Sequence, residues 1–208
     1  MNKYLTELIG TFFLVLTIGC TVIGGGAGVI PPLAIGAVLM VMVFAGGHIS
    51  GAHYNPAVTL AVWMRGRCET KDIAPYMVSQ IVGAALAAVA VKFLRSGVVV
   101  VPMTVDVGRA LVAEVLFTFA LAFVVLNVAT AKGTSGNSFY GLAIGMTVMS
   151  GAFAVGHISG GVFNPAVAAG ITIMGLSGVG SIWIYLAANF LGGAAAAVAF
   201  KVVNPGDK

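Results

Sequence analysis

A polar, proline-broken phrase is written twice inside otherwise apolar sequence, and it limits what this chain can fold into more than any other feature. Residues 47–58 read GHISGAHYNPAV and residues 156–167 read GHISGGVFNPAV, 109 positions apart. The same offset relates Ala34-Ile35-Gly36 to Ala143-Ile144-Gly145, Tyr76 to Tyr185, Gly83 to Gly192 and Lys92 to Lys201. Glu7 and Glu114 pair at an offset of 107, which implies a small length change after the first apolar run. Internal self-similarity of this kind is the mark of a repeated structural unit. The expectation is one domain over residues 1–208, made of two related halves at about 4–95 and 109–203.

The solvent of that domain follows from composition. The 208 residues are 60% hydrophobic and only 8% charged, with a mean hydropathy of +1.08, too little charge for a water-soluble surface. A membrane-spanning helix needs about 20 mainly apolar residues. Runs that reach or approach this length lie at Leu5–Ile23, Leu33–Ala45, Ile73–Leu94, Arg109–Ala131, Phe139–Val155 and Ile182–Val203. A Gly-rich turn at 24–28 and Pro31-Pro32 separate the first two, and KGTSGNS at 132–138 is a polar loop before the fifth. Each half thus holds three spans. Three is odd, so the second half enters the membrane from the opposite side, which makes an inverted repeat with a pseudo-two-fold axis in the membrane plane.

The net charge of +4 is small, and the basic residues sit at segment ends. That pattern orients a membrane protein and is not a nucleic-acid surface. With the N-terminus inside, Lys3, Arg65, Arg67, Lys71, Lys132, Lys201 and Lys208 fall on the inner side, against Lys92, Arg95 and Arg109 outside. Both termini are therefore expected in the cytoplasm, in a prokaryotic inner or plasma membrane, with Arg65 and Arg67 as topology anchors. Cys20 and Cys68 suggest no disulfide framework. TIGC at Thr17–Cys20 has the outline of a lipoprotein cleavage box, but cleavage there would destroy a segment that belongs to the repeat.

Each phrase is too broken to cross a bilayer and too apolar for a free surface loop. After each Asn-Pro-Ala comes about half a span of apolar helix former, VTLAVWM and VAAGITIM. Asn is a strong N-cap and Pro suits the first helical position, where no N–H is needed. Each NPA reads as the start of a short helix inside the membrane, which is tolerated only where protein buries the backbone or a wet cavity meets it. By the inversion, the two half-helices enter from opposite faces and their N-termini meet near the midplane. Each carries roughly half a positive charge. The meeting point suits a neutral solute with a lone pair, repels cations and opposes a proton relay by orienting water.

At these residues the chain resembles the aquaporin, or major intrinsic protein, family, as a bacterial-type member. The resemblance covers nearly the whole chain. It implies an all-α membrane protein of six tilted transmembrane helices plus two re-entrant half-helices around one pore, assembled as a homotetramer, with water and small neutral solutes as permeants and no cofactor or metal. Asn55, Pro56, Ala57, Asn164, Pro165 and Ala166 are then the pore motifs. Family members use the intramembrane Glu to accept N–H groups from the re-entrant loops, which gives that role to Glu7 and Glu114, with His48 and His157 as loop-packing partners.

Counting from the motifs places the family's outer filter at Ile35, Ala152, Gly161 and Val167. Members commonly carry Arg at the last of these, and water channels an aromatic and a His at the first two. Here the filter is expected to be wide and apolar. The glycerol-facilitator marker, an Asp after that Arg, is replaced by Ala168, and Tyr185-Leu186 mixes water-channel and facilitator residues. His53 has no repeat mate, since Val162 holds the equivalent place, and it is a candidate for the inner vestibule and for pH sensing.

An enzyme is disfavoured, because His and Ser two apart in HISG cannot form a nucleophile–base pair within one segment. The alternative is an ion-coupled secondary transporter of a small neutral solute, working through Glu7 and Glu114.

Overall fold

The computed structural model describes residues 1–24 and 28–207. Among them are six helices long and apolar enough to cross a membrane and two short ones. The long helices are α1 (Asn2–Val22), α2 (Ile30–Ser50), α4 (Thr70–Leu94), α5 (Val107–Val125), α6 (Tyr140–Ser159) and α8 (Ile182–Val203). The short ones, α3 (Pro56–Met64) and α7 (Pro165–Met174), follow the two NPA sequences. Of the Gly-rich stretch expected as a turn, 25–27 lie outside the described residues.

Three boundaries differ from the sequence reading in an informative way. α2 runs to Ser50 and α6 to Ser159, so GHIS is the last helical turn of a span in each half and not part of the broken loop. The break comes one residue later, where Gly51 (φ 84°) and Gly160 (φ 94°) take the left-handed C-cap conformation that glycine adopts without penalty. The fourth span is regular only to Val125. Its last turn, Leu126–Thr130, is π-helical, with Asn127 Nδ2 bonded back to the Phe123 carbonyl at 2.8 Å.

The packing of one half is repeated in the other. α1 lies along α4 and α5 along α8, while α2 and α6 cross each other at the pseudo-two-fold axis. In lipid there is little hydrophobic gain from helix association, so close contact relies on small residues that let backbones approach. At the α2–α6 crossing, a Cβ on Gly36 would stand 2.8 Å from the Gly145 carbonyl oxygen, and one on Gly145 would stand 2.4 Å from that of Gly36. Neither position admits a side chain. The outward faces stay apolar, with Val78, Leu86, Val112 and Leu116 exposed where a lipid solvent would meet them.

Candidate functional site

Both short helices begin in the same way. Asn55 and Asn164 are extended N-caps (φ −157° and −158°), and Pro follows each at the first helical position. The Asn55 Oδ1 accepts from the N–H groups of Ala57 (2.9 Å) and Val58 (3.4 Å), and Asn164 Oδ1 from those of Ala166 and Val167 at the same distances. The amide nitrogens reach across the halves. Asn55 Nδ2 donates to the Phe163 carbonyl at 2.8 Å, and Asn164 Nδ2 to the Tyr54 carbonyl at 2.9 Å. Tyr54 and Phe163 both sit at φ 49°, an unusual conformation for a bulky residue, and each presents its carbonyl to the opposite Asn. Two helix N-termini, each with a partial positive charge, are thereby clasped against one another.

Behind each clasp lies a buried carboxylate with four donors. Glu7 accepts from Ser50 Oγ (2.7 Å), His53 N (2.9 Å), Tyr54 N (2.6 Å) and Gln80 Nε2 (2.8 Å). Glu114 accepts from Ser159 Oγ (2.7 Å), Val162 N (2.9 Å) and Phe163 N (2.7 Å). The Asn189 amide, oriented to satisfy its neighbours, adds a donor at 3.2 Å and accepts from Asn164 N. Tyr76 and Tyr185 complete each bracket by donating to the carbonyls of Ser50 (2.8 Å) and Ser159 (2.9 Å). Charge-assisted bonds of this kind are about twice as strong as neutral ones, so the loops before both half-helices are held tightly.

The placement of several candidates departs from expectation. His48 and His157 are exposed on the last turns of α2 and α6, and among the described residues neither bonds to the loops. Ser50 and Ser159, two positions on, do so instead, because two residues turn the helix by roughly 200° and bring that face to the carboxylate. Gln80 and Asn189 went unnoticed in the sequence, although their spacing of 109 and their polarity inside apolar runs were a readable signal. Arg65 is no free anchor. It is 6% exposed, paired with Asp207 at 2.5 Å and stacked 4.6 Å over the Phe200 ring.

A cavity runs past the clasp. Asn55 and Asn164 lie on its wall, and so do Ile35, Ala152, Gly161 and Val167. A second cavity opens towards the ends of α2 and α5 and shares His53, Val125 and Ile144 with the first. Among the described residues, and apart from His53, the two Asn and Tyr54, the first cavity has only hydrocarbon side chains or glycine on its wall. Glu7, Glu114, Tyr185 and Leu186 are not on it. Tyr185 is turned to Ser159, and Leu186 is 37% exposed on the outer side of α8. The Major intrinsic protein profile matches residues 1–200. The chain belongs to the major intrinsic protein family.

Relatives agree along the whole length. "Aquaporin NIP1-3" of Oryza sativa subsp. japonica is 38% identical over 219 residues, covering 100% of this chain and 75% of the relative. "Probable aquaporin NIP4-2" of Arabidopsis thaliana is 35% identical over 92% of this chain and 70% of its own. The fold is shared with the X-ray structure of the aquaglyceroporin from Plasmodium falciparum, at a TM-score of 0.84 and 20% identity over 98% and 97% of the two chains. As a member of the major intrinsic protein family the chain is an integral membrane channel, and a passive one. The transporter alternative is not favoured. Glu7 and Glu114 are occupied by donors from the loops and the neighbouring helices and stand off the cavity wall, where an ion-coupling group would have to reach the solute.

Proposed function

We propose that the chain conducts water and uncharged solutes larger than water, such as polyols, urea, neutral metalloid hydroxides or dissolved gases, through the passage beside its clasped half-helices. Asn55-Pro56-Ala57 and Asn164-Pro165-Ala166 form the central station. Glu7 and Glu114 hold the loops that place it, and Ile35, Ala152, Gly161 and Val167 form the outer filter. The observation that carries the reading is that all four filter residues line one cavity and none has a charged or hydrogen-bonding side chain. An Arg would bring fixed charge and a fork of five donors. A ring of Ile, Ala, Gly and Val holds water poorly and leaves room for a carbon-bearing solute. Cation exclusion then rests on the two helix N-termini.

Residues 1–208 act as one channel domain in this reading, with both termini cytoplasmic, because the ends carrying Lys3, Lys71, Arg67 and Lys132 share one side. Four copies assemble, each with its own passage, as the family resemblance implies. The relatives above are plant proteins and give no support to a prokaryotic membrane.

Stopped-flow swelling and shrinkage of proteoliposomes tests the filter. Both water and a larger neutral solute such as glycerol or urea should pass with a low activation energy. High water flux with every larger solute excluded sinks the wide-filter reading. Saturable accumulation driven by an ion gradient sinks the channel reading altogether.

A further inference from the structure

All six acidic side chains of the chain are engaged away from the passage. Glu7 and Glu114 sit behind the clasp, and Asp106 caps α5 by accepting from Arg109 N at 2.8 Å. The other three each take one cation near the inner ends of the spans. Asp72 pairs with Lys3, Glu69 with Lys71 at 2.6 Å, and Asp207 with Arg65 at 2.5 Å. Asp207 also accepts the Lys132 main-chain N–H, but the Lys132 ammonium is not in an ion pair with it. Among the described residues, three cations of that side are left without an ion pair: Arg67, Lys132 and Lys201.

Two of those three line the second cavity. Arg67, just past the end of α3, and Lys132, just past the π-helical turn that ends the fourth span, are on its wall together with His48 and His53. Among the described residues no carboxylate shares that wall. Lys201, in the last turn of α8, is on neither wall. The first cavity, which holds the outer filter, carries no Asp, Glu, Lys or Arg among the described residues. Fixed positive charge beside the passage is therefore concentrated at one mouth. A cleft lined by one sign of charge, with low-dielectric walls, focuses the field and changes the local concentration of ions. An ion using the passage crosses this field whichever side it enters from.

We infer that Arg67 and Lys132 are specificity-determining side chains, an electrostatic cation filter at the inner mouth that supplies the fixed charge the outer filter lacks. The inference rests on the channel reading above and goes beyond it. It adds a second cation barrier, made of whole charges in a wide polar vestibule, to the one at the clasped helix N-termini. Basic residues gather on the inner side of any membrane protein. Lys201 separates that general tendency from this specific one, because it shares the side but not the wall.

The test uses urea and guanidinium, planar molecules of nearly the same size that differ by one charge. The ratio of guanidinium to urea flux is measured in proteoliposomes of the full chain, with the membrane potential clamped by a potassium ionophore. The pH is held well above the ordinary histidine range, so that the comparison concerns Arg and Lys alone. At about 10 mM salt, where screening is weak, the double variant Arg67→Gln, Lys132→Gln should raise the ratio roughly fivefold, the effect of two unit charges about 8 Å from the solute in water. At ~150 mM salt the rise should shrink to about twofold. Arg67→Gln alone should give roughly a twofold rise at low salt, and it leaves the Asp207 contacts in place. Arg67→Lys keeps the charge and should keep the wild-type ratio, as should Lys201→Gln. An unchanged ratio in the double variant overturns the inference and leaves cation rejection to the clasp, with urea flux still supporting the channel reading. A rise that salt does not diminish, or an equal rise in Lys201→Gln, also overturns it, since the cause is then a wider mouth or net charge. No urea flux in the wild type overturns the wide-filter reading first, and this inference with it.

Discussion

Asn55 Nδ2 donates to the main-chain carbonyl of Phe163 at 2.8 Å, a bond between residues 108 apart in sequence that ties the two halves at their centre. The same Asn caps its own helix through Oδ1. Replacing it by Ala removes a cap, at a cost of about 0.5–2 kcal/mol, and a cross-half bond, at about 1 kcal/mol. Asn55→Ala and Asn164→Ala should each lower the unfolding midpoint in detergent, by comparable amounts given their matched geometry. Because both act on one clasp, the double variant should deviate from the sum of the singles; strict additivity would mean that the two halves are held elsewhere.

Glu7→Gln and Glu114→Gln test the brackets. A glutamine has one acceptor oxygen where the carboxylate has two, and its NH₂ would face N–H groups that also donate. Each unsatisfied buried donor costs about 1–3 kcal/mol. Both variants are expected to insert and fold less well, with flux per folded channel retained. The transporter alternative predicts the opposite, well-folded protein with transport abolished.

Gly161→Cys tests whether the filter lines a passage. Gly161 has φ 63°, and a Cβ there would meet Ala152 Cα at 3.3 Å. Its repeat mate Ala52 holds φ 51° with a side chain, so the loop tolerates a Cβ at a cost of about 1–3 kcal/mol. Cys20 and Cys68 are off both cavity walls. Mercurial reagents should therefore leave wild-type flux unchanged and block the variant, reversibly with thiol. A mercury-sensitive wild type would show that one of the native thiols reaches the path.

Val167→Arg tests the composition of the same filter. It places a forked cation on the wall, and permeability to glycerol should fall by roughly tenfold or more, with water flux preserved. Unchanged glycerol flux would show that the rate is set somewhere else along the passage.

Asp207 gives a pH signature outside the spans. The Lys132 main-chain N–H (2.7 Å) and then the charges of Arg65 and Lys132 hold its carboxyl below the usual carboxylate range. A depressed folded value means that the ion pair contributes stability above the ordinary Asp range and loses it as pH falls through the folded value. Thermal unfolding of wild type should thus be insensitive to this group near neutrality and decline in acid. Asp207→Asn should be destabilised at neutral pH, since it leaves the buried Arg65 unpaired, and should lose the acid-dependent part of the curve.

Spans, inversion and half-helices were legible because they rest on local rules. Hydropathy adds along the chain, the offset of 109 survives in Gly, Tyr and Lys residues, and an Asn-Pro pair starts a helix wherever it occurs. The sequence by itself determined the solvent, the number of crossings and where the two short helices begin. Tertiary structure alone decided which buried polar groups meet. Ser50 rather than His48 supports the loop, Gln80 and Asn189 serve the carboxylates, Arg65 finds Asp207 across 142 residues, and His53 borders both cavities. A hydrogen bond depends on position and direction in space to within a fraction of an ångström, and helix rotation and crossing set these only once the halves have packed.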